Sequence, residues 1–394
     1  MKRTQVAIVG AGPAGLLLSQ LLARQGIHSV VLERRSRAYV ESRIRAGVLE
    51  HQTAEALRHA GVGDRMDREG MRHSSIDLAF AGRHHRIELT ELTGKTITVY
   101  GQHEVVKDLI ARRLADGGEI VFQAENVALH DIDGPQPRVT YEQDGVPIEL
   151  ACDLIAGCDG YHGPSRASAP AGALTVHDRG YPYAWLGVLA QAAPTSDQLV
   201  YARHADGFAL YSMRSPTVTR LYLQCRPDTD PDAWSNRQLW DQLHRRLEVE
   251  GDWSINEGPI LQKNVAPMRS FVCEPMRHGR LLLAGDAAHI VPPTGAKGMN
   301  LAVADVQVLA AALRRFYGDG DERGLQRYSE TCLRRVWTVQ RFSVWMTEML
   351  HRHPDAEPFD ERLQLAELDA VASSRAAATR LAENYVGLPL DADP

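Results

Sequence analysis

The feature that most constrains the fold is a glycine-rich turn near the start of the chain. An apolar stretch over residues 5–9 leads into the letters GAGPAG, and an apolar helical pattern then runs from Leu16 to Arg24. A second apolar stretch, residues 29–32, ends in Glu33. This order predicts a β-α-β unit with two parallel strands.

The glycines of this turn, Gly10, Gly12 and Gly15, have the spacing G-x-G-x-x-G. In such a unit the first glycine permits the tight turn, the second lets a pyrophosphate approach the backbone, and the third allows close packing of helix on strand. Glu33 lies 18 residues beyond Gly15, where an acid is expected to bind a ribose hydroxyl. A glycine-rich turn alone is often only a turn, but in this context it predicts a dinucleotide site, without indicating which dinucleotide.

A second motif, LLLAGDAAHIVPPTGAKGMN, begins at Leu281 and places Asp286 after an apolar strand and before a helix that starts near Gly298. Ligands of open α/β sheets bind at this edge of the sheet. A carboxylate there accepts hydrogen bonds from sugar-like hydroxyls, and the helix start offers backbone N–H groups. A flavin meets both conditions, through its ribityl hydroxyls and the N1/O2 edge that is negative when reduced. The alternative is that Asp286 only caps the next turn.

The rest of the chain indicates a mixed architecture. A helix is predicted from about His103 to Leu114, a β-rich region over residues 183–225, a helix over residues 234–247 with Ser235 as its cap, and mostly helix after Leu301. We therefore predict an α/β fold: a Rossmann-like dinucleotide-binding domain (residues 1–180), an inserted β-rich substrate domain (181–268), and a final segment (269–394). Of this last segment, residues 269–305 are expected to contact the flavin, and the remainder to form a helical C-terminal region that also provides an interface.

Composition limits the partners. The chain has 394 residues, 44% of them hydrophobic, and a formal net charge of −6, so no overall basic surface for nucleic acid or anionic lipid is expected. Its five cysteines contain no C-x-x-C pair, and neither a disulfide framework nor a metal site is predicted. The glycine motif explains the apolar start better than a signal peptide does, and no apolar run reaches the length of a membrane span. We expect a cytoplasmic protein without nucleic-acid, membrane or metal partners.

A third element, DLIAGCDGYHGPSR, places Asp159 after another apolar strand. Together with VAIVGAGPAG, SRIRAGVLE, TVYGQHEV, APMRSFV, GDAAHIVPPTGAKGMN and AENYVGLP, it makes nearly the whole chain resemble the p-hydroxybenzoate hydroxylase family of class A flavoprotein aromatic monooxygenases. The resemblance implies an FAD enzyme that uses NADPH or NADH and O2 to convert 4-hydroxybenzoate to 3,4-dihydroxybenzoate. It implies a flavin C4a-hydroperoxide as the electrophile and an ionised phenol as its target.

The resemblance also implies which residues contact FAD. Two of them depart in side chain from familiar forms, Ala14 from Ser and Met299 from Leu, and both are expected to act through backbone. Arg220 resembles a residue that helps to hold the flavin between its inner and outer positions. The full implied set is Gly10, Gly12, Ala14, Gly15, Glu33, Arg43, Ile44, Arg45, Ala46, Gly47, Val48, Gln102, Asp159, Arg220, Asp286, Met299 and Asn300.

For the substrate, the resemblance implies contacts at both ends of an aromatic acid. A carboxylate calls for a guanidinium and hydroxyl donors. The segment YSMRS and a neighbouring strand contribute Ser212, Met213, Arg214 and Tyr222. The phenol is expected against Tyr201, with Tyr385 behind it, His73 at the outer end of a proton path and the Pro293 carbonyl nearby. Without the resemblance, a surface strand with a solvated Arg and ordinary core tyrosines would be the alternative.

No second glycine fingerprint follows a strand, so NAD(P)H is expected to visit a groove. The implied residues are Arg34, Tyr39, Arg43, Arg45, His162, Arg166 and Arg269, and the match at Arg34 and Tyr39 favours NADPH over NADH. Such a charge run is otherwise usually a solvated face. The remaining alternatives are a hydroxylase of 3-hydroxybenzoate or 3,4-dihydroxybenzoate, a non-catalytic dinucleotide sensor, and an NAD dehydrogenase. The family resemblance implies a homodimer.

Overall fold

A computed structural model describes residues 2–43, 47–251 and 253–390. The strands within these residues are β1 Lys2–Arg3, β2 Val6–Val9, β3 Ser29–Glu33, β4 Val48–Leu49, β5 Met71–His73, β6 Ile76–Phe80, β7 Arg83–Ile87, β8 Ile97–Val99, β9 Glu119–Phe122, β10 Glu125–His130, β11 Arg138–Gln143, β12 Val146–Ala151, β13 Leu154–Gly157, β14 Thr175–Ala190, β15 Val200–His204, β16 Gly207–Ser215, β17 Val218–Cys225, β18 Ile260–Glu274, β19 Arg277–His278, β20 Leu281–Leu283 and β21 His289–Ile290. The α-helices are α1 Pro13–Arg24, α2 Arg37–Ser42, α3 His51–His59, α4 Asp64–Glu69, α5 Leu89–Thr93, α6 Gln102–Ala115, α7 Pro164–Ala167, α8 Asn236–Leu247, α9 Gly298–Asp319, α10 Arg323–Leu350, α11 Pro358–Ser373 and α12 Arg375–Val386. The predicted α/β fold is confirmed.

A six-stranded sheet in the order β19-β20-β13-β2-β3-β9 forms the nucleotide-binding half. Strands β20, β13, β2, β3 and β9 pair in parallel, and only β19 runs antiparallel. Their mostly apolar side chains share one buried core with α1 and α9 and with residues of β11 and β12, and α1 packs against α6 and α9. The carboxyl ends of five parallel strands therefore meet at one edge.

An eight-stranded sheet in the order β21-β18-β14-β17-β16-β15-β6-β7 forms the second half. Its two longest strands, β14 and β18, pair antiparallel through most of their length. Strand β6, from the amino-terminal part of the chain, joins the sheet by pairing in parallel with β15. A second apolar core, separate from that of the nucleotide half, lies on this sheet and includes residues of α8, α11 and α12.

Helix boundaries follow local chemistry. Ser235 caps α8 in a capping box, in which its side chain accepts from the Gln238 N–H and the Gln238 side chain accepts from the Ser235 N–H, as the sequence predicted. The predicted helix at 103–114 begins one residue earlier, at Gln102. From Gly298 onward helices dominate, and α9 and α10 pack against each other. Within the described residues, every helix is too short or too polar to cross a membrane.

Candidate active site

The two halves enclose a cavity of about 1380 Å³. One side is built from the carboxyl ends of β2, β3, β13 and β20 and from the start of α9. The opposite side is built from β14 to β18 of the eight-stranded sheet. The volume exceeds the roughly 300–1,000 Å³ of an ordinary small-molecule pocket, and it suits a dinucleotide together with a small substrate.

The glycine turn is shaped as its spacing predicts. Gly10 has φ +105°, and a Cβ there would lie 2.4 Å from the carbonyl oxygen of Cys158. A Cβ on Gly12, at the N-cap of α1, would meet no atom within 4 Å, so the cavity reaches the backbone there. A Cβ on Gly15 would lie 2.1 Å from the Gly10 oxygen, so helix and strand pack closely. The helix start thus offers its N–H groups to an anion.

Two acidic side chains accept hydrogen bonds from backbone N–H groups at this edge of the six-stranded sheet. Glu33, at the end of β3, accepts hydrogen bonds from the Ala11 N–H at 3.0 Å and the Arg35 N–H at 2.8 Å. Asp159, after β13, accepts from the Ser165 N–H at 2.8 Å, and its other oxygen, Oδ1, is buried without a partner. Burial raises the pKa of Asp159. Both carboxylates line the cavity, and each keeps acceptor capacity for a ligand hydroxyl.

Asp286 lies in a short 3₁₀ turn, Gly285–Ala287, directly after β20, and it lines the cavity. The turn is held from behind, because the Asp305 carboxylate accepts from the Gly285 N–H at 2.9 Å and lies 2.6 Å from the His289 ring. Arg166 holds it from the side by donating to the Ala287 carbonyl at 3.0 Å. The Arg166 guanidinium therefore connects the segment DLIAGCDGYHGPSR to the segment that contains Asp286.

The remaining predicted FAD residues are distributed as follows. Val48, Gln102, Met299, Ala14 and Arg43 line the cavity, whereas Gly47 packs against the backbone, since a Cβ there would lie 2.1 Å from the Tyr100 oxygen. The Asn300 side chain donates to the carbonyls of Val48 and Ala296 and accepts from the Glu50 N–H, so it orders the cavity wall. Ile44, Arg45 and Ala46 lie outside the described residues.

Three of the predicted substrate residues meet on β16 and β17. Ser212, Arg214 and Tyr222 all line the cavity, as does Pro293, while Met213 is buried in the sheet core. The Nε atom of Arg214 is buried without a hydrogen-bond partner. Burial acts to raise the pKa of Tyr222, but the cations of Arg214 and Arg220 outweigh it, so the pKa lies below its usual value. This corner suits an anion.

On β15, the strand next to β16 in the same sheet, Tyr201 places its hydroxyl 2.6 Å from that of Tyr385 on α12. Both rings are buried, burial raises both pKa values, and Tyr201 lines the cavity. His73 is buried in β5, where burial lowers its pKa and the exposed Asp197 and the Gln198 side chain oppose that effect. The structure joins the tyrosines directly, whereas His73 lies on β5 of the three-stranded sheet β4-β8-β5 and does not line the cavity.

A buried charge cluster behind this end was not predicted from the sequence. The Lys297 ammonium donates to the Glu50 carboxylate at 2.7 Å and to the Tyr385 carbonyl at 2.9 Å. The other oxygen of Glu50 accepts from Arg335 at 3.3 Å. Two cations thus share one carboxylate beneath the tyrosine pair. The available signal was Lys297 itself, a charged residue between the glycines of TGAKG.

The residues predicted for the coenzyme fall into two sets. Arg34, Tyr39, Arg43 and His162 are exposed along the cavity margin. Arg166 and Arg269 are engaged with protein instead: both guanidiniums stack on the Tyr161 ring, and Arg269 pairs with Asp178 at 3.2 Å. Arg45 lies outside the described residues.

The residues present fit FAD. An anion-binding helix start with an open glycine and two carboxylates with free acceptor capacity lie on one edge, beside a cavity with volume enough for a dinucleotide. In the part of the chain that the structure describes, no group of three or more His, Cys, Asp or Glu side chains is arranged to hold a metal ion.

Comparison with known proteins agrees with this geometry. The family model described as "FAD binding domain" matches residues 3–343. A p-hydroxybenzoate hydroxylase of Acinetobacter baylyi (strain ATCC 33305 / BD413 / ADP1) is 49% identical over 390 residues, covering 99% of this chain and 96% of the relative. The aklavinone 12-hydroxylase DnrF of Streptomyces peucetius is 27% identical over 354 residues, covering 82% of this chain and 70% of that protein.

Among solved structures, p-nitrophenol 4-monooxygenase PnpA from Pseudomonas putida DLL-E4 has a TM-score of 0.83 at 20% identity, covering 99% of this chain and all of that one. At this identity the likeness shows the fold. The family match over residues 3–343 and the near full-length relative show more. The chain belongs to the FAD binding domain family of class A flavoprotein monooxygenases and, within it, to the p-hydroxybenzoate hydroxylases.

Proposed function

We propose that this FAD-dependent monooxygenase hydroxylates 4-hydroxybenzoate at the 3-position, with NADPH and O2, to give 3,4-dihydroxybenzoate. The observation that carries the proposal is that one cavity has an anion-binding corner at Arg214 and a hydrogen-bonded tyrosine pair at Tyr201 and Tyr385. A para-hydroxylated aryl acid has its carboxylate and its phenol at opposite ends, which matches this arrangement.

The carboxylate end is recognised by charge and by hydroxyl groups. Arg214 presents a planar guanidinium whose Nε has no protein partner, and the Tyr222 hydroxyl lies on the adjacent strand. A guanidinium binds a carboxylate through two parallel hydrogen bonds, and low local dielectric strengthens them. The residues therefore fix the acid group and orient the ring.

At the phenol end of the cavity, the side chains hold the substrate oxygen and take part in removing its proton. Because burial raises the pKa of Tyr201, its hydroxyl stays protonated at neutral pH and can donate to a phenolate oxygen. Tyr385 then accepts from or donates to Tyr201. Beneath it, Lys297 and Arg335 share the single Glu50 carboxylate, and the excess positive charge favours negative charge at this end of the cavity. We propose His73 as the outer group of this path. Ionising the phenol raises the electron density of its ring, which hydroxylation by an electrophile requires.

Bound FAD supplies hydride acceptance and oxygen activation. We propose that it contacts the glycine turn, Glu33, Asp159, Gln102, Asp286, Met299 and residues 43–48, with Asn300 positioning that wall. For NADPH we propose the exposed Arg34, Tyr39, Arg43 and His162 as phosphate and ribose contacts, with Arg166 and Arg269 shaping the adjacent surface. Arg45 belongs to the same proposal. The cavity walls exclude water from the reacting atoms.

A single assay tests the function. The purified protein is examined for a flavin spectrum, and NADPH and NADH consumption are followed with and without 4-hydroxybenzoate while product and H2O2 are quantified. We expect a yellow protein, substrate-stimulated NADPH oxidation and 3,4-dihydroxybenzoate as product. Faster turnover of 3-hydroxybenzoate or 3,4-dihydroxybenzoate would replace the substrate assignment. A colourless protein, or NADPH oxidation that no aromatic acid stimulates, would contradict the proposal itself.

We also propose a cytoplasmic homodimer. Phe359 and Leu363 on α11 are 71% and 56% exposed, which supports burial against a second copy of the chain. We keep the division of the chain at positions 180 and 268 as a proposal about the roles of the segments. Strand β14 runs through position 180 and strand β18 runs through position 268, so both boundaries fall within strands. Sedimentation of the wild type and of Phe359→Asp tests the dimer, and a wild-type monomer at micromolar concentration would exclude it.

A further inference from the structure

Three neighbouring strands, β17, β14 and β18, place a cation, a tyrosine and an amide together in the cavity wall. Gly187 of β14 lies directly opposite Tyr222 of β17 on one side and Asn264 of β18 on the other. Arg220 lies two residues before Tyr222, so its side chain projects from the same face of the sheet. Arg220, Tyr222 and Asn264 all line the cavity.

Gly187 leaves the space in which the Arg220 guanidinium lies. A Cβ built on Gly187 would be 2.7 Å from Nη2 of Arg220 and 3.1 Å from Oδ1 of Asn264. Its backbone does not have positive φ, so the reason for glycine here is room rather than conformation. The guanidinium crosses over β14 through this gap and reaches the next strand.

The side chain on β18 that accepts a hydrogen bond from Arg220 is uncharged. Its Nη2 donates to the Asn264 Oδ1 at 2.7 Å, and its guanidinium lies 5.1 Å from the centre of the Tyr222 ring. Among the described residues no carboxylate comes within ion-pair distance of it, and the buried Nη1 has no hydrogen-bond partner. The side chain is 8% exposed. A buried cation is thus held in place without being neutralised, and one donor remains for a ligand.

We propose that Asn264 is a positioning residue of this active site. With Gly187 it fixes the Arg220 guanidinium in the cavity wall and leaves its charge available to the anion that forms on the cofactor when it is reduced. An amide orients a cation through a hydrogen bond, whereas a carboxylate at the same place would also cancel its field. This inference rests on the proposed function only in requiring bound FAD and an aromatic acid.

The test compares two carboxylates on one strand. Asn264→Asp places a negative charge next to the guanidinium, and Gln262→Glu places the same charge two residues away along β18, opposite Leu189 instead of Gly187. The midpoint potential of bound FAD is measured for both variants and the wild type. We expect Asn264→Asp to weaken binding of the reduced cofactor relative to the oxidised one at least tenfold, a negative shift of about 30 mV for a two-electron couple. Gln262→Glu is expected to shift it by less than half as much.

Two uncharged variants test the positioning itself. Asn264→Ala keeps the cation and removes its anchor, and Gly187→Ala fills the gap that the guanidinium occupies. We expect each to leave the potential closer to wild type than Asn264→Asp does, while FAD reduction by NADPH with the aromatic acid bound slows at least tenfold. Asn264→Ala also keeps the test available should the aspartate variant fail to fold.

Any of three results would overturn the inference: an unchanged potential in Asn264→Asp, an equal shift in Gln262→Glu, or wild-type-like rates of FAD reduction in both uncharged variants. A failure of the proposed function is seen separately, as a wild-type protein without flavin or without hydroxylated product.

Discussion

At the scale of single residues, Arg214 is the side chain on which binding of the substrate acid is proposed to depend. Within the described part of the chain it forms no ion pair, and its Nε is buried and unpaired. Burial lowers its pKa and Tyr222 opposes that effect, yet a guanidinium keeps its proton at any physiological pH. A cation kept in this way without a protein carboxylate is available to a ligand carboxylate.

Replacing Arg214 by Ala is therefore expected to weaken binding of 4-hydroxybenzoate by about 2–5 kcal/mol, because the ligand acid loses its charged partner inside the cavity. This corresponds to roughly 30-fold or more in Kd, measured by titrating the flavin spectrum with the acid. Arg237→Ala is the control, since that side chain is 91% exposed. A Kd changed less than fivefold would show that the acid group lies elsewhere.

The hydroxyl of Tyr201 gives a second residue-scale prediction. Tyr201→Phe removes the group that lies 2.6 Å from Tyr385 and leaves the ring in place. Since an un-ionised phenol is a poorer target, NADPH oxidation is expected to continue while product per NADPH falls about tenfold and H2O2 rises. Tyr141→Phe, at a buried tyrosine of β11 whose hydroxyl has no partner, is the matched control. Full coupling in Tyr201→Phe would contradict a role in phenol ionisation.

At the scale of elements, the strand-turn-helix unit at the start of the chain does most to position the cavity. Gly10 combines a φ of +105° with a backbone approach that leaves no room for a side chain. Gly117, at the end of α6, has φ +73° but open space around it. Comparing alanine substitutions at Gly10 and Gly117 therefore distinguishes the strain of a positive φ from a steric clash of the added Cβ.

Gly10→Ala is expected to lower the fraction of protein purified with FAD to below a tenth of the wild-type value, because the turn must open where its Cβ meets the Cys158 backbone. Gly117→Ala is expected to keep its FAD and to lose only about 1 kcal/mol of stability. The flavin-to-protein absorbance ratio measures the first effect, and thermal unfolding measures the second. Equal FAD loss in both variants would mean that the strain of positive φ, and not the close approach, matters.

Local patterns predicted much of this architecture. The glycine spacing, Glu33 and the apolar stretches predicted β2, α1 and β3, and the Ser235 signal predicted α8. The pairing of β6 with β15 depends on residues more than a hundred positions apart, and no local period encodes it. Tyr201 and Tyr385 are 184 positions apart, so only the family resemblance joined them. Lys297, Glu50 and Asn264 went unpredicted because their partners also come from distant elements.

At the scale of the whole molecule, His351 connects α10 to the eight-stranded sheet. Its Nε2 accepts from the Trp185 indole N–H at 2.7 Å, its Nδ1 lies 2.9 Å from the Thr347 carbonyl, and its ring stacks on Phe208. Burial lowers the pKa of His351 to about 3, although the contact with the Thr347 backbone opposes that effect. Trp185 lines the cavity, so this contact supports the substrate wall.

His351 therefore makes the stability of the fold depend on pH. Between its ordinary pKa of about 6.5 and its folded pKa of about 3, the unfolded chain binds a proton that the native protein does not, so stability falls as the pH falls, by up to about 1.4 kcal/mol per unit. His351→Gln keeps an acceptor and lacks this titration. We expect the Tm of the wild type to decline more steeply than that of the variant from pH 6.5 to 4.5. Parallel declines would contradict the assignment.

The two long strands β14 and β18 have a consequence for how ligands enter. At about 3.3 Å per residue the 16 residues of β14 extend for some 50 Å. Its pairing with β18 reaches from Glu274 to Ile260, with shifts in register after Gly180 and after Leu189. Strand β6, from the amino-terminal part of the chain, is also paired into that sheet, so within the described residues strand pairing as well as connecting segments joins the two halves. We therefore expect an aromatic acid to enter through displacements of side chains at the cavity margin rather than by hinge opening between the two halves.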